Sequence, residues 1–232
     1  MQLNTRLSGA ILSGVNLRGA NLEGINLCGA NLSDINLCAN LKNANLRWAN
    51  LSLLRLNEAS TQGAFMRGVN LSQAYLMEVD LHRMDFNGVN FNWAKMKLAN
   101  LCAADFTATN FSGANLIFTN LKETTMNGSN LRNTVLIYSN LSGAVLTIAD
   151  LSYTVLTDAN FTQANLNLAD LHKADLSGAC LEDAYLWKAD LSEANLDGAD
   201  LSGASLRGAI LDGVDLRNTN LTGAMMPDGK VY

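Results

Sequence analysis

A five-residue repeat runs through almost the whole chain and limits its possible folds more than any other feature. The segment Ala20-Asn21-Leu22-Glu23-Gly24 is followed by Ile25-Asn26-Leu27-Cys28-Gly29 and then by Ala30-Asn31-Leu32-Ser33-Asp34. With the Leu taken as the centre, seven centres lie between Leu7 and Leu37. One residue is then missing, and 38 more centres run from Leu41 to Met226, which makes 45 pentads. A repeat of this extent has to be interpreted before any single motif.

Each position of the pentad has its own residue preference. Of the last 38 centres, 37 are Leu, Phe or Met, and the exception is Thr61. A small residue, usually Ala, lies two positions before the centre, and Asn or Asp usually lies one position before it. Seventeen of the 18 glycines lie two positions after a centre, and only Gly229 does not.

A period of five matches neither a helix, which repeats near 3.6, nor an extended strand, which alternates at 2. It does match a short flat segment followed by a corner. Ala-Asn-Leu alternates inward, outward and inward, and the next two residues turn the chain. Glycine adopts a positive φ at little cost, as the second position of a type II turn requires. The pattern therefore predicts an all-β coil whose Ala and Leu side chains stack into one continuous core.

The tandem pattern resembles the pentapeptide-repeat family, whose signature is A(D/N)LXX, and the ending Met226-Pro227-Asp228-Gly229 resembles that of many cyanobacterial members. The signature stands here as Ala44-Asn45-Leu46, Ala114-Asn115-Leu116, Ala174-Asp175-Leu176 and Ala199-Asp200-Leu201. The resemblance implies a right-handed quadrilateral β-helix with four pentads, or 20 residues, per coil. Period five alone does not establish four sides. We therefore expect a single solenoid over residues 1–226 with about 11 coils, roughly 50 Å long at the usual strand spacing, and a tail at 227–232.

Several departures from the repeat concern the coil ends and one register break. Open coil ends are exposed sheet edges, and we expect Met1–Thr5 and Pro227–Tyr232 to blunt them. The missing residue at Cys38-Ala39-Asn40 shortens one corner or one side. In Ala59-Ser60-Thr61-Gln62-Gly63 the Thr61 hydroxyl stands where Leu belongs, and a buried hydroxyl needs a bonding partner. Local irregularity is the simpler interpretation of both features, and a deliberate kink is the alternative.

Composition favours a globular cytoplasmic protein with no membrane span. No run of apolar residues approaches 18, and the first fifteen residues hold no continuous apolar core of a secretory signal. The four cysteines have no CxxC spacing, which indicates free thiols in a reducing compartment. The net charge of −5 argues against direct binding of nucleic acid through its phosphates.

Catalytic, cofactor and metal sites are not predicted. His82 and Cys102 are 20 residues apart in the sequence, and coil stacking places them within about 5 Å. A Cys–His pair can act as nucleophile and base, but no acid, oxyanion donor or concave surface is evident around it. Every glycine but Gly229 is a turn glycine, so no phosphate-binding loop is present, and the two histidines are too far apart to share a metal. An enzyme is therefore not expected.

Acidic residues concentrate towards the C-terminal end. Residues 1–144 hold 11 basic and 8 acidic residues, whereas residues 145–232 hold 5 basic and 13 acidic residues. One outward column changes from Asn to Asp and continues as Asp150, Asp170 and Asp190. One interpretation is an acidic rod that mimics DNA and inhibits or protects DNA gyrase. Relatives that inhibit gyrase tend to dimerise through C-terminal additions longer than this tail, which counts against that role. The other interpretation is that Asn and Asp are equivalent here, because both bond nearby backbone.

One side of the coil carries an unusual number of outward apolar residues, and we interpret it as an interface. Scattered apolar surface residues are normal, but a column of them over four or five coils is less so. A smaller apolar group, Val145, Ile148, Leu168, Tyr185 and Trp187, lies on another side and is not interpreted in this way. The expected function is a non-catalytic scaffold that presents a rigid face to a protein partner or to a second copy. The alternative is that the column only stabilises the ladder by cross-strand stacking. The predicted interface residues are Tyr75, Met77, Leu98, Ile117, Phe118, Val135, Ile137, Tyr138 and Val155.

Overall fold

The chain coils into a right-handed quadrilateral β-helix, as expected. The computed structural model describes residues 7–56 and 60–232. After the register break, successive coils pair at a spacing of 20 residues, as in Tyr75 with Lys95 and Asn90 with Asn110. Four pentads therefore complete one turn. Met1–Thr5, expected to blunt one coil end, and Ala59 lie outside the described residues.

The four sides are named here by their centres. From the register break onward, face A has centres at Leu41 and every twentieth residue to Leu221, and face B runs likewise from Leu46 to Met226. Face C runs from Leu51 to Leu211 and face D from Leu56 to Leu216. The described residues contain no helix. Where a side pairs with the same side of the next coil, it does so through a single bridged residue, the one just before the centre.

Backbone hydrogen bonds join each coil to the two coils beside it. On face D, the Leu116 amide donates to the Val135 carbonyl at 2.8 Å, and the Val135 amide donates to the Ala114 carbonyl at 3.0 Å. The same two bonds recur on most sides, so each flat segment is held from above and below. A side chain that points outward from such a segment is therefore fixed in height and direction.

Leu, Ala and Phe side chains fill the interior, which confirms the predicted inward positions. Leu116, Leu136 and Leu141 are fully buried. Phenylalanine centres stack on each other between coils: Phe86 and Phe106 have ring centroids 5.2 Å apart and lie nearly parallel. The core is thus one column of layers that runs along the described rod.

The corner backbone is usually left-handed at the second residue after a centre, with or without glycine there. Glycines at this position have φ between 62° and 76°, as Gly128 and Gly213 show, and 24 other residues of the described segments adopt a positive φ as well. The expected role of glycine is confirmed, but the requirement belongs to the coil geometry. A left-handed conformation costs roughly 1 kcal/mol or more for a residue with a Cβ, so each bulky residue at this position is a costly choice.

The register break shortens a corner. Across it, Asn21 pairs with Asn40 and Asn26 pairs with Asn45, a spacing of 19 residues. The corner after Leu37 contains only Cys38, where other corners contain two residues. The flat sides on both sides of the break keep their usual pairing, which explains why the repeat resumes at once.

The ladder opens around Thr61. Its side chain is buried, and the hydroxyl contacts the Met84 sulfur at 3.5 Å. No backbone hydrogen bond joins described residues 60–66 to residues 80–85, and pairing resumes where the Gly68 amide donates to the Asn87 carbonyl. A cleft of about 500 Å³ lies between the two segments. The unusual centre therefore coincides with a local separation of two coils.

The tail at 227–232 folds back along the edge of the last coil. Val231 pairs antiparallel with Met225, and the Tyr232 amide donates to the Ala224 carbonyl at 2.9 Å. Pro227 accepts a hydrogen bond through its carbonyl from the Gly208 amide. The tail therefore satisfies part of the edge on face B, in agreement with the blunting role predicted for it.

Candidate interaction face

The nine residues of the predicted interface all lie on face D or at its corner with face A. Tyr75, Val135 and Val155 occupy one bridged column. The second column consists of the residues just after the centres, and the third consists of the left-handed corner positions. In chain order, these two columns contribute Met77, Leu98, Ile117, Phe118, Ile137 and Tyr138.

The nine residues of the predicted interface form an apolar strip, and Phe118 and Tyr138 lie at its centre. Their rings are stacked at 5.1 Å with an interplanar angle of 7°. Both are about half exposed, at 48% and 53%, so the outer halves of the rings are open to solvent. Both also have a left-handed backbone, with φ of 56° and 55°. The stack recovers roughly 1 kcal/mol, which offsets only part of the conformational cost of two such residues.

Two aromatic residues on the opposite corner of face D were missed by the sequence interpretation. Trp93 and Tyr153 lie at the corner between faces C and D and are exposed at 59% and 40%. The Trp93 indole lies so close to Gly113 that a Cβ there would meet it at 2.6 Å. These residues follow face C centres, so they do not belong to the face D pentads from which the interface was predicted. A bulky residue where the repeat prefers Gly was the available signal.

Charge changes sign along face D. At the lower, N-terminal end of these nine residues, the Arg55 guanidinium and the Lys95 ammonium both lie over the Tyr75 ring, 4.5 and 4.3 Å from its centroid. At the upper, C-terminal end stand Asp158 and Asp175. A hydrogen bond from Tyr138 to Asp158 raises the pKa of the Tyr138 hydroxyl. Face D is thus basic at one end, apolar in the middle and acidic at the other end.

The Asp175 carboxylate bonds neutral groups. Its Oδ1 accepts from the Asn195 side-chain amide at 2.9 Å, and its Oδ2 accepts from the Thr157 hydroxyl at 3.3 Å. Among the described residues, no cation lies within salt-bridge distance of it. Its negative charge is therefore available to a group outside the rod.

The predicted acidic column exists, and its carboxylates take part in local turns. Asp150, Asp170 and Asp190 are bridged in succession on face C. Each Oδ1 accepts a hydrogen bond from the amide two residues later at 2.9 Å. Asn130 accepts the same bond from the Arg132 amide at 3.0 Å. Asn and Asp therefore serve the same local purpose in this column, which favours the structural interpretation.

His82 has an acidic neighbour that the sequence interpretation did not find. Its Nδ1 lies 2.7 Å from Asp80 Oδ1, and this hydrogen bond lowers the pKa of the Asp80 carboxyl. No hydrogen bond joins His82 to Cys102 in the described part of the chain. The four cysteines are unpaired and half-buried, and no three metal-binding side chains gather among residues 7–56 and 60–232.

The smaller apolar group lies on face B and at its corner with face C. Val145 and Tyr185 share a column, but Asn165 stands between them. Ile148 and Leu168 are successive corner residues, exposed at 61% and 43%. This group contains no stacked pair of rings in the described structure, in contrast to the strip on face D.

A membrane-spanning helix is not found: no helix among the described residues has the length and apolar character needed to cross a membrane.

Comparison with known proteins places the chain in a family. The family model described as pentapeptide repeats matches residues 4–37, 55–92, 85–117, 114–152, 149–187 and 184–223. The chain therefore belongs to the pentapeptide-repeat family, whose members are generally non-catalytic structural or interaction proteins. No curated protein matches it with significant similarity.

Several solved structures are similar to this chain. HetL of the cyanobacterium Nostoc sp. strain PCC 7120, involved in heterocyst differentiation regulation, is 32% identical. That match covers 94% of this chain and 93% of HetL, with a TM-score of 0.49. A pentapeptide repeat protein of the Arabidopsis thaliana thylakoid lumen is 30% identical over 49% of this chain and 69% of its own, with a TM-score of 0.27. QnrB1, a plasmid-mediated fluoroquinolone resistance protein, is 17% identical over 69% of this chain and 85% of its own, with a TM-score of 0.38.

Proposed function

We propose that this protein is a non-catalytic interaction scaffold that works in the cytoplasm and presents face D to a protein. The observation that carries the proposal is the stack of Phe118 on Tyr138 in the middle of an apolar strip. Both rings are half exposed at backbone positions that glycine would occupy at lower cost. Other corner residues, Ile148 and Leu168 among them, also have a left-handed backbone. The stack of two half-exposed rings is what marks Phe118 and Tyr138 as the candidate functional pair.

The scaffold suits a binding role because its surface is already ordered. Hydrogen bonds on both sides of each flat segment hold the outward side chains in place, so little conformational entropy is lost when the face is covered. Aromatic residues at the centre of a patch are typical energetic anchors of interfaces. Ile117 and Ile137, beside the stack, extend the apolar surface, and the charged ends of face D supply orientation.

The double substitution Phe118→Ser with Tyr138→Ser tests the proposal. Neither residue points inward, so we expect the melting temperature to change little and the capture of a partner from a lysate of the native organism to be lost. The matched control is Ile148→Ser with Leu168→Ser, which changes two successive left-handed corner residues elsewhere on the rod. The proposal fails if both double variants capture the same proteins as the unmodified chain.

A DNA-mimicking inhibitor or protector of gyrase is the second candidate, and it rests on the alignment of the Asp150, Asp170 and Asp190 carboxylates along face C. Conversion of these three residues to Asn retains the oxygen that accepts the turn hydrogen bond, so the fold should survive. If the rod acts as a mimic, a supercoiling assay should show inhibition by the unmodified protein and weaker inhibition by the triple variant. Absence of inhibition at micromolar protein would remove this candidate.

A further inference from the structure

The order of charges on face D is the feature that identifies a partner. Heights along the rod can be counted in coils from the midpoint between Phe118 and Tyr138. Arg55 and Lys95 both place their charges beside the Tyr75 ring, which lies two and a half coils below that midpoint. Asp175 lies two and a half coils above it in the same column. Opposite charges at equal distances on the two sides of a midpoint are the pattern expected of a self-complementary surface.

We propose that face D binds face D of a second copy, with the two rods antiparallel about a two-fold axis that passes between Phe118 and Tyr138. This inference rests on the proposed function, because it names the partner of the same face. The two-fold axis lies in the plane of the interface and is perpendicular to the rods. Each column of face D therefore faces the same column of the second copy, and a residue above the midpoint faces one at the same distance below it. Phe118 then meets Tyr138 of the second copy, and Ile117 meets Ile137 of the second copy.

The same operation brings opposite charges together at both ends of the strip. The two cations that flank Tyr75 face Asp175 of the second copy, whose carboxylate has no cation within salt-bridge distance among the described residues of its own rod. Lys97 lies one and a half coils below the midpoint and faces Thr157 of the second copy, next to Asp158. Glu78 faces Gly178 of the second copy, against which the Asp158 carboxylate lies, so these two acids approach each other and oppose part of the attraction. The contacts extend over about five coil spacings, roughly 24 Å.

A parallel arrangement of the two rods does not satisfy the charges. A two-fold axis along the rods would keep every residue at its own height. Lys95 would then face the basic end of the second copy, and Asp175 would face the acidic end. Like charges placed together at an interface oppose association, whereas the apolar middle of face D does not distinguish the two arrangements. The charges therefore select the antiparallel one.

A charge-swap experiment tests this inference. We expect the unmodified protein to sediment as a concentration-dependent dimer at micromolar concentrations, and more weakly in about 500 mM salt than in about 50 mM salt. The variant Arg55→Glu with Lys95→Glu and the variant Asp175→Lys should each dimerise at least about tenfold more weakly, because each opposes like charges. The column already contains Lys, Tyr, Val, Asn and Asp, so both variants should fold, as checked by circular dichroism and melting.

Mixing the two variants supplies the decisive result. In the mixed dimer, the new carboxylates of the first variant face the new ammonium of the second at one end of the strip. At the other end, the unchanged Asp175 of the first variant faces the unchanged Arg55 and Lys95 of the second, so opposite charges meet at both ends. We expect association to return to the strength of the unmodified protein. The matched control, Arg47→Glu, removes a cation placed over Phe65 at 4.6 Å on face B and should leave dimerisation unchanged.

Two outcomes would overturn the antiparallel dimer. One is a monomer at all concentrations, and the other is a dimer that both charge variants leave intact or that mixing does not restore. Either result leaves the proposed function testable on its own, because loss of partner capture by Phe118→Ser with Tyr138→Ser would still assign face D to another protein. Both proposals would be removed if the Phe118→Ser with Tyr138→Ser variant still captured the same partner and the dimer did not depend on the charges of face D.

Discussion

Replacement of Leu141 by Ala tests the inward assignment and the stacking of the coils. Leu141 is fully buried on face A, between Leu121 below and Phe161 above, which are also fully buried. The Leu121 amide bonds the Asn140 carbonyl and the Leu141 amide bonds the Asn160 carbonyl, both at 2.7 Å. The adjoining backbones are held by these bonds, so they cannot move in to fill the space left by the side chain. We therefore expect a loss of about 4–5 kcal/mol, in the upper part of the range for buried Leu.

The neighbouring outward residue provides the comparison. Asn140 Oδ1 accepts a hydrogen bond from the Ser142 amide at 3.0 Å, so Asn140→Ala should cost only about 1 kcal/mol. Asn140→Asp keeps the acceptor and should cost less still. Urea unfolding followed by tryptophan fluorescence gives the overall loss, and amide hydrogen exchange around Leu141 shows whether it is local. Equal losses for Leu141→Ala and Asn140→Ala would refute the assignment of inward and outward positions.

Two further predictions concern corners and carboxylates. Gly113→Ala should destabilise the protein more than Gly88→Ala. Both glycines have a left-handed φ, but of the two only Gly113 lies against the indole of Trp93. Equal shifts in melting temperature would show that the indole moves aside. Stability should fall as the pH drops from about 4 towards 2, because hydrogen bonding to Arg217 lowers the pKa of Asp215 to about 2. A folded-state pKa below the unfolded value of 3.8 means that the stabilisation is present above that pH and is lost as the carboxyl takes up its proton. Thermal melts across this range should show a smaller decline for Asp215→Asn, and an identical decline would contradict the assignment.

Much of the fold is predictable from the sequence because the repeat is local and strict. Each pentad specifies one inward Ala, one inward Leu and one corner, and 45 copies allow little freedom in how these are stacked. The columns on face D follow from simple counting in steps of 20, which is why the nine predicted residues do lie together. The same counting predicted the acidic column of Asp150, Asp170 and Asp190.

Only the tertiary structure decided what those columns do locally. It showed that the missing residue shortens the corner at Cys38, that the coils separate beside Thr61, and that Trp93 borders face D from the other corner. It also showed that Arg55 and Lys95 converge on the Tyr75 ring. The physical reason is that a repeat specifies the backbone and the direction of each Cβ, whereas the last atoms of long side chains settle according to neighbours that lie a whole coil away in sequence.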